Sequence, residues 1–116
     1  MTTIVDYREA IEKAGGNTEL AKELFGMLLE ELPKLREKLQ HAIAQDDLQA
    51  IWNHAHKIYG STAYCGVPVL RQAASTMEMT VRSKELDAIR QEFESLNVAI
   101  NQLLTQGPAH LTQDWK

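Results

Sequence analysis

Apolar residues recur at spacings of three and four along almost the whole chain, and this periodicity limits what the chain can fold into. It is clearest in Leu20, Leu24, Met27, Leu28, Leu32, Leu35, Leu39 and Ile43, which form one helical stripe. No alternating β-branched run and no hairpin signal such as Asn-Gly competes with it.

The breaks fall between stripes. A short first helix is expected from about Asp6 to Ala14, ended by Gly15-Gly16. Asn17 is placed to cap the second helix, with Glu19 favouring its dipole. Pro33 should kink or split that helix, because proline lacks a backbone donor and crowds the preceding turn. Asp46 and Gln49 read as a capping box for a third helix, with the stripe Leu48, Ile51, Trp52, Ala55, Ile58, Thr62 and Cys65. Gly66-Val67-Pro68 ends it, and Pro68 suits the first turn of a fourth helix carrying Leu70, Ala73, Ala74, Met77 and Val81. Ser83 is the expected cap of a last helix carrying Leu86, Ile89, Phe93, Leu96, Ile100 and Leu103, and Gly107-Pro108 its stop. The expected fold class is therefore all-α: an antiparallel four-helix bundle with a short additional N-terminal helix. Residues 1–116 form a single domain, the bundle spanning about 17–106, and 107–116 a tail that either docks through Trp115 or stays mobile.

No apolar run approaches the roughly 18 residues needed to cross a bilayer. Met1 to Tyr7 lack the basic start and apolar stretch of a signal peptide. With Cys65 as the single cysteine no internal disulfide can form, and a cytoplasmic location is expected, with no direct membrane contact. A net charge of −4 argues against nucleic-acid binding, which needs a basic face. The charge is uneven, however. From Asn53 to Lys84 only Glu78 is acidic, against Lys57, Arg71, Arg82 and Lys84, so this stretch carries +3 and the remainder −7. Such a patch suits an anionic group or partner, or is chance clustering on a solvated face.

The chemistry concentrates in the third helix. With Ala55, Ile58 and Thr62 facing the core, His56 turns about 100° toward solvent. Gly60 lies four residues on, one turn away on the same face, flanked by Asn53 and Ala63. A glycine inside a helix costs about 1 kcal/mol relative to alanine, so something should offset it: a closely approaching partner, or tight helix packing. If the next turn centres on Val67, antiparallel partners have numbers summing to about 134, which sets His56 level with Glu78. A carboxylate there would hold one ring nitrogen and leave the other nucleophilic; otherwise Glu78 is a surface glutamate with no fixed partner.

The run His56-Lys57-Ile58-Tyr59-Gly60-Ser61-Thr62-Ala63-Tyr64-Cys65-Gly66 resembles the signature of the histidine phosphotransfer (HPt) family. The resemblance extends over the bundle from about Asn17 to Gln106. It implies that His56 accepts a phosphoryl group from a receiver-domain aspartate of a hybrid kinase and passes it to the receiver of a response regulator. It implies a phosphocarrier rather than an enzyme, without ATP binding or a cofactor of its own, the Mg2+ being supplied by the partner receiver. A polar residue on the neighbouring helix often holds the ring in this family, the place of Glu78. The family lysine three residues after the histidine is replaced by Tyr59, and the nearest lysine is Lys57. Lys57, Tyr59, Gly60, Ala63, Asn53 and Arg71 are the expected phosphate-neutralising or receiver-docking residues. The domain is expected to be a monomer, free-standing or part of a larger hybrid sensor kinase of the inner membrane.

Two other readings compete with this one. A metal site built from His54, His56 and Cys65 is disfavoured, because His54 and His56 diverge by about 200° on a helix. Cys65 has no visible base and sits on a core stripe, His54 reads as a polar flank of the helix, and His41 and His110 read as ordinary surface residues. A docking or dimerisation bundle without phosphorylation is the alternative that stays open.

Overall fold

The chain, described by a computed structural model over residues 3–115, contains five helices. They are α1 (Tyr7–Lys13), α2 (Thr18–Ala44), α3 (Leu48–Ser61), α4 (Pro68–Arg82) and α5 (Leu86–His110). Among the described residues there is no strand, and no helix is long and apolar enough to cross a membrane.

The helix starts are set by side chains that accept an otherwise unpaired N–H. Asp6 accepts from Glu9 N–H at 3.1 Å, Asn17 from Leu20 N–H at 3.0 Å, and Asp47 from Ala50 N–H at 3.1 Å. The cap of α3 is thus Asp47 and not Asp46. Asp46 instead makes the turn, with φ 53, a left-handed conformation that aspartate tolerates better than most residues. Ser83 likewise closes α4 rather than capping α5, its hydroxyl donating to the Thr80 carbonyl at 2.6 Å, while Glu85 takes the cap position of α5. Pro68 stands in the first turn of α4, as its missing donor favours.

Both prolines expected to interrupt helices sit inside them. α2 runs unbroken across Pro33, which is exposed, so water can serve the carbonyl its ring leaves without a donor. α5 continues through Gly107-Pro108 to His110. Gly107 serves packing rather than termination: a Cβ there would stand 2.7 Å from Leu29 Cδ2, so its absence lets α5 lie against α2.

α2, α3, α4 and α5 pack in a ring, each against two neighbours, and α1 packs on α2. Phe25, Leu32, Leu39, Ile51, Ile58, Leu70, Met77, Ile89, Leu96, Ile100 and Leu103 form its fully buried centre. The core face of α2 differs from the expected stripe in its first turns. Ala21 and Phe25 are buried, whereas Leu20 and Met27 are exposed. Phe25 packs against the docked tail. The Trp115 indole donates to the His110 carbonyl at 2.8 Å, stacks on Tyr7 with centroids 4.7 Å apart, and meets Phe25 edge-on. The Tyr7 hydroxyl is hydrogen-bonded to His110 Nδ1, so His110 belongs to this aromatic cluster and is not an ordinary surface residue. At the other side of α1, Asp6 N–H donates to the Gly66 carbonyl at 2.7 Å. Gly66 has φ 61, and a Cβ there would fall 2.4 Å from Asp6 O, so no other residue fits without displacing α1.

Candidate functional site

The site is built on facing surfaces of α3 and α4. The Gly66–Val67 turn places the two helices antiparallel, and residues whose numbers sum to about 134 meet across the seam. His56 and Glu78 are one such pair. His56 Nδ1 is hydrogen-bonded to Glu78 Oε1, and because a carboxylate only accepts, the ring nitrogen donates. The two environments differ: the His56 side chain is 63% exposed and that of Glu78 only 12%. Glu78 is thus held in the seam by its surroundings, and the imidazole is held by Glu78.

A second pair, Trp52 and Arg82, lies one helical turn away. The Trp52 indole stacks on the His56 ring with centroids 5.5 Å apart and planes 16° from parallel, and the Arg82 guanidinium carbon lies 5.3 Å from the indole centroid. The sequence stripe assigns Trp52 to the core, but it is only half-buried, and its face serves the histidine. The signal for this is present in the sequence: an aromatic residue four positions before a histidine shares its helix face.

Gly60 borders open space, with nothing within 4 Å of where a Cβ would be. Tight packing within the chain therefore does not account for this glycine. Next to it is a shallow hollow lined by Leu24, Met27, Leu28, Gly60, Ser61 and Tyr64. Met27 is 56% and Tyr64 60% exposed, so the hollow has accessible apolar side chains on its rim, beside the exposed Glu31.

α3 ends at Ser61, a turn earlier than its stripe suggests. The Ser61 and Thr62 hydroxyls each donate at 2.6 Å to the carbonyls of Ile58 and Tyr59, closing the helix end. Ala63 then lies in the following turn, half-buried. Cys65 is buried beyond it, with Sγ 3.7 Å from the Leu24 carbonyl, and burial together with the Glu31 carboxylate pushes its thiol up to about 11.

The remaining residues singled out from sequence divide in two groups. Lys57 and Asn53 are exposed on α3, Asn53 accepting from Gln49 Nε2 at 3.1 Å. Tyr59 and Arg71 turn instead toward α1. The Arg71 guanidinium lies 6.0 Å from the Tyr59 centroid and its Nη1 3.7 Å from Glu9 Oε1. His54 and His41 share a groove between α3 and α2 with Lys34, Glu37 and Lys38, on a different face from His56. Among the described residues no three His, Cys, Asp or Glu side chains are grouped so as to hold a metal ion.

Comparison with known proteins places this chain in a family. The profile of the Hpt domain matches residues 23–106. The chain is 32% identical over 103 residues to the sensor histidine kinase GacS of Pseudomonas protegens, covering 89% of this chain and 11% of that protein. It is 33% identical over 95 residues to the signal transduction histidine-protein kinase BarA of Shigella flexneri, covering 80% of this chain and 10% of that protein. The chain thus spans about a tenth of the length of these curated relatives. The crystal structure of the HPT domain from a hybrid sensor histidine kinase of Shewanella superimposes with a TM-score of 0.62 at 27% identity, covering 89% of this chain and 95% of that one. This chain belongs to the Hpt domain family.

Proposed function

From that membership, we propose that this domain is a phosphocarrier in a multistep phosphorelay, with Nε2 of His56 as the atom that carries the phosphoryl group. The observation that supports this reading best is the Glu78 carboxylate on Nδ1 of a ring that is otherwise largely open to solvent. With Nδ1–H donated to Glu78, the lone pair of the neutral imidazole is on Nε2.

The chemistry then balances without a proton leaving or entering. Nε2 attacks the phosphorus of a receiver aspartyl phosphate, the N–P bond forms as the O–P bond breaks, and the aspartate departs as a carboxylate. The imidazole ring gains positive charge, which the Glu78 carboxylate offsets. The reverse step delivers the group to an aspartate of the second receiver. Catalysis of this kind is mainly positioning and charge neutralisation. On this reading the Mg2+ ion is held by the receiver, and no residue of this chain ligates it.

The open space at Gly60 and the apolar rim of Met27 and Tyr64 suit close docking of a receiver domain. Lys57 is the cation of the motif that is free to reach a phosphoryl group, whereas Tyr59 and Arg71 are engaged with each other and Glu9 and serve the docking face at most. The upstream receiver is that of a hybrid kinase, the downstream one that of a response regulator, and the domain acts as a cytoplasmic monomer.

Incubation with a panel of phosphorylated receiver domains tests the proposal. The chain should acquire acid-labile phosphate, and His56→Gln should abolish labelling while its helical circular dichroism is unchanged. Absence of labelling under conditions where another Hpt domain is labelled sinks the reading, leaving the docking-module alternative.

A further inference from the structure

One hydrogen bond fixes a point on an imidazole but leaves the ring free to rock about that point. In-line transfer needs the nucleophilic lone pair aimed along the N–P axis, so the plane of the ring must be fixed as well. Glu78 supplies the point. The plane is set by the indole of Trp52, nearly parallel to the imidazole and 5.5 Å from it between centroids.

We propose that Trp52 is a positioning residue for phosphotransfer, its indole face holding the His56 ring in the orientation from which Nε2 attacks. This inference rests on the phosphocarrier reading. The indole is itself held from two sides: it packs against the hydrophobic core and lies under the Arg82 guanidinium at 5.3 Å. Trp52, His56, Glu78 and Arg82 thus make a two-layer clamp across the α3–α4 seam, an aromatic–cation layer beside an imidazole–carboxylate layer. The stack also matches the charge change of the reaction. As the N–P bond forms, the ring gains positive charge, and the electron-rich indole face attracts a cation more than a neutral ring. Trp52 therefore favours the phosphorylated state and the path to it.

Two substitutions separate orientation from bulk. Trp52→Phe keeps a flat aromatic face, and Trp52→Met fills the space without one. Labelling is followed with a receiver that phosphorylates the wild type, as rate against receiver concentration. Trp52→Met should lower the maximal rate by about tenfold or more and leave the half-saturating receiver concentration unchanged, and Trp52→Phe should restore most of the rate. A second readout needs no phosphate: the indole ring current should shift the carbon-bound ring protons of His56 in the nuclear magnetic resonance spectrum, and Trp52→Met should remove that shift.

A folded Trp52→Met that is labelled at the wild-type rate overturns the proposal. If that variant does not fold, wild-type His56 ring protons without a ring-current shift overturn it instead. Failure of the wild type to be labelled by any receiver is a different result, because it removes the phosphocarrier reading, while the ring-current shift still reports whether the stack exists.

Discussion

At the scale of single residues, Gly60 is a glycine that packing within the fold does not require. It lies in the last turn of α3, where alanine is still the better helix former, and a Cβ there meets nothing within 4 Å. Gly60→Ala should therefore stabilise the domain by up to about 1 kcal/mol in urea unfolding. A larger residue such as Gly60→Gln should slow labelling by a phosphorylated receiver but not labelling by the small donor phosphoramidate, because only the former requires a protein surface to reach the helix. Cys65 illustrates the opposite case, a reactive residue type made inert by burial. Its thiol is pushed up to about 11 from an ordinary 9.0. Below pH 9 the thiol is protonated in both folded and unfolded chains and has no effect on the balance. Between these values the unfolded chain ionises first, so stability should fall as pH rises, and Cys65→Ala should flatten that fall in a series of urea titrations.

At the scale of elements, the fifth helix and its tail hold the N-terminal part of the domain in place. Trp115 is 2% exposed, stacked on Tyr7 and edge-on to Phe25. Trp115→Ala should cost about 3–5 kcal/mol in urea unfolding, the range for deleting a buried large aromatic. The tail also shows where sequence periodicity reaches its limit. Leu20, Leu24 and Met27 share one helix face, Ala21 and Phe25 lie about 100° around the axis from Leu20 and Leu24, and Leu28 borders both faces. Spacing alone cannot choose between them. The buried face is the one that meets Trp115 and His110, some ninety residues away in the chain, and Met27 is left on the rim of the hollow beside Gly60. Local breaker rules fail at Gly107 for a related reason. The glycine answers a tertiary demand, the approach of Leu29, that only the packed bundle reveals.

At the scale of the whole molecule, the bundle is the device that turns two separate helix faces into one site. Five helices, the turn at Gly66–Val67 and the pairing of His56 with Glu78 are legible in the sequence, because each depends on residues close along the chain or joined by one short hairpin. The Trp52–Arg82 layer is obscured because tryptophan also fits a core stripe, and periodicity does not distinguish a half-buried face from a buried one. The same hairpin register that predicts the first pair contains the second, so the whole clamp follows once the α3–α4 seam is treated as a unit. In a phosphocarrier, such a clamp serves to present one nitrogen of one histidine. The most direct measurement is nuclear magnetic resonance of the phosphorylated, 15N-labelled domain, which identifies the ring nitrogen bonded to phosphorus. A nitrogen–phosphorus coupling is predicted at Nε2 of His56, with Nδ1 still protonated toward Glu78. A phosphoryl group on Nδ1 of His56, or on His41, His54 or His110, would contradict the proposed mechanism.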